Sequence, residues 1–296
     1  MWQFDDFDAW GDAVSGANLR LTCDGVEQRQ WTLGIIDLDG VVVQLAAEGG
    51  GNICYGGSVH GGPQLFVPLT HAGEHVANGV PLDDDSLLAI PQGTDFWIRV
   101  RRRAHSWCSV ALPAEMPAPA TSGRLVCGRD AVGRLRRIVG DIAASLLDRP
   151  GVTPAHEAAR REILAAAADC LQAHVAPETA VGRPRIDRRE IVRRAMAAID
   201  SAATVPTAAD LARDVGVTDR TLLRTFQEVF GLPPKRYLLL RELHAVRRGL
   251  RDAAASQTTV ADVLVRHGIW EFGRFAARYR GHFGELPSET LRRAKA

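Results

Sequence analysis

Five residues in one short stretch carry the clearest chemistry of the chain: Thr218, Arg220, Thr221, Leu223 and Arg224. An arginine fork can bond the O6 and N7 of a guanine in the major groove, and threonine hydroxyls serve phosphates and bases alike. Such a set reads DNA only from an exposed helix that enters the groove. About fifty residues on, Trp270, Gly273, Arg274 and Arg278 fall in a second stretch of similar layout.

A competing chemistry needs testing. His60, His71 and His75, with Glu74 beside the last two, are residue types that ligate iron or zinc. A metal oxygenase site needs imidazoles and a carboxylate converging on one ion. No His-x-His pair with a downstream Glu supplies that here, and the glycine in His71-Ala-Gly-Glu-His75 points to a loop. No glycine-rich phosphate loop or Gly-x-Ser-x-Gly elbow occurs, and the glycines of 49–62 read as turns. The expectation is a protein with no catalytic residue, metal or cofactor.

The elements that must hold the arginines are legible from 187 onward. Asp187-x-x-Glu190 fits a capping box for a helix to about Ser201. Thr207-x-x-Asp210 opens a short helix, Ala208–Val215, that stops at Gly216. Thr218 caps a helix over Asp219–Phe230, ended by Gly231. Helix, short turn with glycine, helix is the helix-turn-helix spacing, with Leu211, Val217, Leu222 and Phe226 as its core. The pattern repeats: Thr259-x-x-Asp262 opens Val260–His267, Gly268 turns the chain, and Trp270–His282 forms a second reading helix before Gly284. Between the copies, Pro234–Arg251 reads as a long helix with Tyr237, Leu240, Leu243 and Leu250 inward. At 1.5 Å per residue it spans about 27 Å, a spacing suited to adjacent major grooves.

Residues 187–294 closely resemble the AraC/XylS transcription regulators. The resemblance rests on Leu211-Ala212-x3-Gly216-Val217, Arg220-Thr221-Leu222-x-Arg224-x-Phe226 and Gly231-x-Pro233-Pro234-x2-Tyr237. It continues through Arg241-x5-Arg247-x2-Leu250, Gly268-Ile269 and Arg274-Phe275-x3-Tyr279-x3-Phe283-Gly284-x2-Pro287-Ser288. It implies binding to double-stranded promoter DNA and activation through RNA polymerase. Carried over by position, base contacts come from Arg220, Leu223 and Arg224. The second unit departs from the family: Trp270 replaces the usual Ser or Asp cap, Leu264 stands at a usual Ala, and Gly273 and Ala277 sit where polar or basic readers are common. That unit is therefore expected to position the domain on phosphates more than to specify bases.

Upstream of 116 the chain changes character. Short apolar runs at 31–36, 40–45, 64–69, 86–90 and 96–100 alternate with turn clusters rich in glycine and aspartate. They predict a β sandwich or small barrel. The family resemblance implies a cupin-like effector domain, and residues 20–112 are compatible with one. Trp31, Tyr55, Phe66, Phe96 and Trp97 are the aromatic candidates for lining an effector cavity, although aromatics on strands more often form plain core. Prolines at 113, 117 and 119 mark a linker. Beyond it, Val132, Leu135, Ile138, Val139, Ile142 and Leu146 make one apolar helical stripe, and a second helix is expected over 154–175. These two helices could form a homodimer interface or pack on the chain's own domains. A second linker is read at 176–184.

The architecture expected is thus multi-domain α+β: a cupin-like β-barrel over 1–115, a helical linker or dimerisation segment over 116–182, and an all-α domain over 183–296 with helix-turn-helix units at about 207–230 and 259–283. Charge divides the same way. Residues 1–128 carry 7 basic and 15 acidic side chains, whereas 187–296 carry 20 and 13, behind an overall net charge of +1. A basic module for a polyanion joined to an acidic module with another task fits that split. The five cysteines are odd in number and lack any Cys-x-x-Cys pair, which argues against a disulfide framework and a zinc site. The acidic start lacks a signal peptide, and no run of apolar residues is long enough to span a membrane, so a cytoplasmic location is expected. The reading is an effector-responsive activator. The alternatives are a regulator controlled by a partner protein and, less favoured, a cupin enzyme fused to DNA-binding helices.

Overall fold

The computed structural model describes residues 1–146, 154–172, 187–202, 204–253 and 258–295, which form two compact units, Met1–Arg183 and Pro184–Ala296. The linker read at 176–184 lies outside the described residues.

The first unit opens with β1 (Trp2–Phe4) and α1 (Phe7–Ala13), followed by β2 (Ala17–Cys23), β3 (Trp31–Asp37), β4 (Val42–Glu48) and β5 (Asn52–Ser58). Then come β6 (Gln64–Pro68), a 3-10 turn (Ala72–Glu74), β7 (His75–Ala77), β8 (Val80–Pro81) and β9 (Ser86–Ile90). β10 (Asp95–Val100), β11 (His105–Ala111) and β12 (Gly123–Val126) complete the strands, and α2 (Arg129–Leu146) and α3 (Pro154–Leu171) follow. All strand pairs are antiparallel and fall into two sheets, β1-β3-β4-β11-β6-β9-β12 and β2-β5-β10-β7-β8. The expected closed cupin barrel is corrected here: among the described residues no ladder joins the two sheets, so each keeps its edges.

Two cores explain this layering. Phe7, Trp10, Leu21, Leu33, Phe66, Leu88, Phe96 and Trp107 fill the space between the sheets. On the other face of the seven-stranded sheet, Val43, Leu45, Leu65, Val67, Leu87, Cys108 and Val110 meet the apolar stripe of α2 and the small side chains of α3. A sheet covered on both faces needs unbroken apolar strands, and β6 and β9 are buried at every position. The stripe expected on the first middle helix is therefore present, but it is consumed on its own sheet instead of facing a second copy. β12 pairs with β9, so the β fold runs past residue 115 to Val126, and the helices of the middle segment share its core.

One strand was hidden by its glycines. Asn52–Ser58, read as turn sequence, is β5 and pairs with both β2 and β10. A Cβ on Gly56 would sit 2.7 Å from Leu19 Cδ2 and 3.1 Å from Phe96 Cζ, so close approach of neighbouring side chains requires glycine there.

The second unit is all helix: α4 (Arg188–Ser201), α5 (Ala208–Val215), α6 (Asp219–Phe230), α7 (Pro234–Asp252), α8 (Val260–Arg266), α9 (Phe272–Phe283) and α10 (Pro287–Lys295). Start signals act as the spacing predicts. Thr207, Thr218 and Thr259 each accept a hydrogen bond from the backbone N–H three residues on, and at α8 Asp262 completes the capping box. At α4 only half of the expected box forms: Asp187 caps Arg189 N, and Glu190 instead takes Arg193 and Arg194. Gly216, Gly231, Gly268 and Gly284 all have positive φ, the left-handed backbone that ends a helix. α9 begins two residues later than expected, because Trp270 supplies no cap and Glu271 makes no side-chain capping bond.

Candidate nucleic-acid interface and ligand cavity

The face of α6 is set by its core. Leu222, Phe226, Val229 and Phe230 are buried, and Phe226 and Phe230 pack with Tyr237 of α7 at ring separations of 5.5 and 4.7 Å. Helical periodicity then forces Thr218, Arg220, Leu223, Arg224 and Gln227 to the outside. Leu223, an apolar side chain, is 40% exposed. Thr221 is half-buried, and its hydroxyl lies 2.9 Å from that of Thr218, so these two close the helix start.

The two arginines differ in their partners. Arg224 Nε donates to Glu228 Oε1 at 2.9 Å, and the other Glu228 oxygen meets Arg188 Nε at 2.7 Å. Arg220 has no ion pair or hydrogen bond among the described residues. It therefore projects from the first turn of α6 as an uncommitted cation.

The second helix pair, α8 and α9, is organised alike. Phe275, Tyr279 and Phe283 face inward with Leu243 and Leu250 of α7. Trp270, Gly273, Arg274 and Arg278 are exposed, Trp270 to 73%. Arg274 spends its charge on both oxygens of Glu271, at 3.0 and 2.9 Å. Arg278 acts on Glu242 of α7, whose carboxyl is raised by burial and held back by that charge.

The buried arginine of the motif, Arg247, is structural. Arg247 is buried over the Phe283 ring at 4.3 Å and bonds Glu285 Oε1 at 3.2 Å, with both side chains about a tenth exposed. Glu285 also accepts from Thr290 and Arg293, which ties α10 back onto α7 and α9. Gly249 allows α7 to approach α8, since a Cβ there would lie 3.2 Å from Val263 Cγ1.

The first unit contains a cavity of about 70 Å³ between its two sheets. β2, β5, β6, β10 and β11 each send alternate residues into it, so Phe66 and Phe96 line it while Trp31, Tyr55 and Trp97 do not. Tyr55 points the other way, and its hydroxyl donates to Asp95 at 2.9 Å. Residues unmarked by the sequence reading form the polar end: Glu48, Asn52 and His105. Trp107 Nε1 donates to Glu48 Oε1, and His105 Nε2 lies 3.7 Å from Glu48 Oε2. Burial pushes the Glu48 carboxyl up, and His105, Trp107 and Asn52 pull it back. Beside them the buried His75 is pushed down to about 3, by burial first and by His105 second.

The sequence candidates for a metal do not converge. His60 bonds Leu112 O, Glu74 pairs with Arg101, and His75 turns its Nδ1 to His71 O. Among the described residues no three His, Cys, Asp or Glu are placed to hold a metal ion. Nor is any described helix long and apolar enough to cross a membrane.

Comparison with known proteins points to the second unit. A family described as a helix-turn-helix domain matches residues 211–293. The XylDLEGF operon transcriptional activator of Pseudomonas putida is 38% identical over 79 residues, 27% of this chain and 25% of that one. The probable thc operon regulatory protein of Rhodococcus erythropolis is 38% identical over 103 residues, 34% of this chain and 31% of that one. The chain thus spans a quarter to a third of these relatives. A crystal structure of a probable AraC family transcriptional regulator from Rhodopseudomonas palustris is 33% identical, covering 36% of this chain and 98% of that one, with a TM-score of 0.33.

Proposed function

We propose that the chain is a sequence-specific transcription regulator of the AraC type, bound to DNA through its second unit, and that its first unit senses a small-molecule effector. The observation that carries the DNA reading is the outer face of α6. Thr218, Arg220, Leu223 and Arg224 stand together in solvent on a helix that follows a glycine turn, with Arg220 uncommitted. α5–α6 and α8–α9 act as two helix-turn-helix units on the rigid α7. In this division Arg220, Leu223 and Arg224 read bases, with Thr218 and Thr221 at the helix start. Trp270, Gly273, Arg274 and Arg278 sit against the backbone of a second groove.

The sensing reading is supported by a cavity between the sheets whose mainly apolar lining carries a few polar groups, Glu48, Asn52 and His105 among them. Effector binding would shift the population of arrangements in which DNA is engaged, and an activator would pass that shift to RNA polymerase.

In vitro selection of DNA by the full-length protein at roughly 150 mM salt, where non-specific phosphate binding is suppressed, tests the DNA reading. A recovered motif spanning about two helical turns per monomer is expected. A motif of one turn would remove α9 from groove binding. Recovery of none by either the full chain or residues 183–296 would refute the regulator reading.

A further inference from the structure

The polar end of the cavity is a corner of acceptors. Glu48 Oε1 is satisfied by Trp107, but Oε2 is buried without a hydrogen bond. Asn52 Oδ1 and His105 Nε2 are likewise buried and unbonded. His105 Nδ1 lies 3.1 Å from Arg103 O, a carbonyl that can only accept, so Nδ1 carries a proton, and Nε2 lies 3.7 Å from Glu48 Oε2. Glu48 Oε2 and Asn52 Oδ1 are thus two buried oxygen acceptors without a hydrogen bond at one cavity, and leaving each so is costly. What such a corner lacks is a group with several donors and a positive charge. The rest of the wall is mainly apolar, with Trp107, Phe66 and Phe96 among its aromatic faces, and Ser15, Gln64 and Ser109 add polar groups to it.

We propose that this cavity binds a small primary amine as its ammonium ion, with N–H donors on Glu48 Oε2 and Asn52 Oδ1 and a short apolar body against Trp107, Phe66 and Phe96. The inference rests on the sensor reading of the first unit and gives its ligand a chemical class. An ammonium supplies more than one donor together with a positive charge, and the aromatic faces favour a cation beside them. A carboxylate ligand would meet the Glu48 carboxyl and the Asn52 oxygen. A simple alcohol, with one O–H, could satisfy only one of the two. A divalent metal would need three converging ligands, which the described residues do not provide.

The test uses the full-length protein without DNA, so its failure is separate from failure of the DNA reading. Thermal melting is followed with n-propylamine, n-butylamine and benzylamine, each against the alcohol and the carboxylate of the same carbon skeleton, and with Zn²⁺ alone. The expected result is a rise in Tm of about 5–10 °C for at least one amine at a hundredfold excess over its Kd, with its alcohol and carboxylate giving none. Glu48→Gln should abolish that rise. If Glu48→Gln fails to fold, Asn52→Ala should weaken the same amine at least fivefold by calorimetry. Equal shifts from an alcohol or carboxylate, a shift with Zn²⁺ only, or no shift with any of them would overturn the proposal.

Discussion

The sharpest consequence of the α6 geometry concerns two arginines of equal charge and unequal freedom. Arg220 has no partner to leave, so its full contact energy is available to a base. A bidentate arginine–guanine contact is worth about 1–3 kcal/mol, and Arg220→Ala should therefore weaken the selected site about 5- to 160-fold. Arg224 must first release Glu228, an exposed i,i+4 pair worth roughly 0.3–0.5 kcal/mol, so Arg224→Ala should cost about twofold less than Arg220→Ala. Glu228→Gln removes the competitor and a carboxylate from the DNA-facing side, and should tighten binding by about twofold or more. Fluorescence anisotropy at roughly 150 mM salt, with the selected duplex and its single-base variants, measures all three. Arg220→Ala should lose discrimination at one base pair while the other positions keep theirs. A uniform loss across all duplexes, or weaker binding by Glu228→Gln, would refute this reasoning.

Three further outcomes follow from the same structure. Arg278→Ala should weaken selected and scrambled duplexes alike and reduce the slope of log K against log salt by about 0.9, as expected for one lost phosphate contact. Glu285→Ala removes the carboxylate that bonds the buried Arg247, and loss of about 2 kcal/mol should appear as an early helical melt at 222 nm; a change under about 0.5 kcal/mol would show that this pair does not hold α10. His75 has its folded pKa lowered from 6.5 to about 3, so its contribution is present above pH 6.5 and lost as pH falls from there. Urea unfolding followed by tryptophan fluorescence should show about 2 kcal/mol less stability at pH 5 than at pH 7.5, a difference that His75→Asn removes.

The second unit was legible because its instructions are local. Thr207, Thr218 and Thr259 cap within three residues of themselves, and Gly216, Gly231, Gly268 and Gly284 stop helices at their own positions. The late start of α9 was missed because Trp270 and Glu271 carry no such local cap. In the first unit the information is shared between distant segments. Strand runs at 31–36, 64–69 and 86–90 were found, whereas β2 and β5 acquire meaning only from each other's register. Of the aromatic residues picked for the cavity, Phe66 and Phe96 line it and Trp31, Tyr55 and Trp97 do not. A one-residue difference in strand position decides the face, and sequence alone does not fix the phase of a twisted sheet.

The same dependence explains why the polar corner could not be read. Glu48 and His105 stand 57 positions apart and become direct partners only in the β4–β11 register. Asn52 joins them because the chain turns through three glycines between β4 and β5. A Cβ on Gly49 would fall 1.8 Å from Gln28 O and one on Gly51 1.8 Å from Gly25 O, and Gly50 and Gly51 have φ of 104° and 72°. No side chain fits in that turn, and the left-handed backbone is strained for any residue but glycine. A run that by composition is only a turn is thus what lets a buried carboxylate and a buried amide border the same cavity. In β proteins the residues that do chemistry are adjacent through pairing, while the residues that permit the pairing carry no chemistry at all, so a search for functional side chains has to begin from the glycines that bring them together.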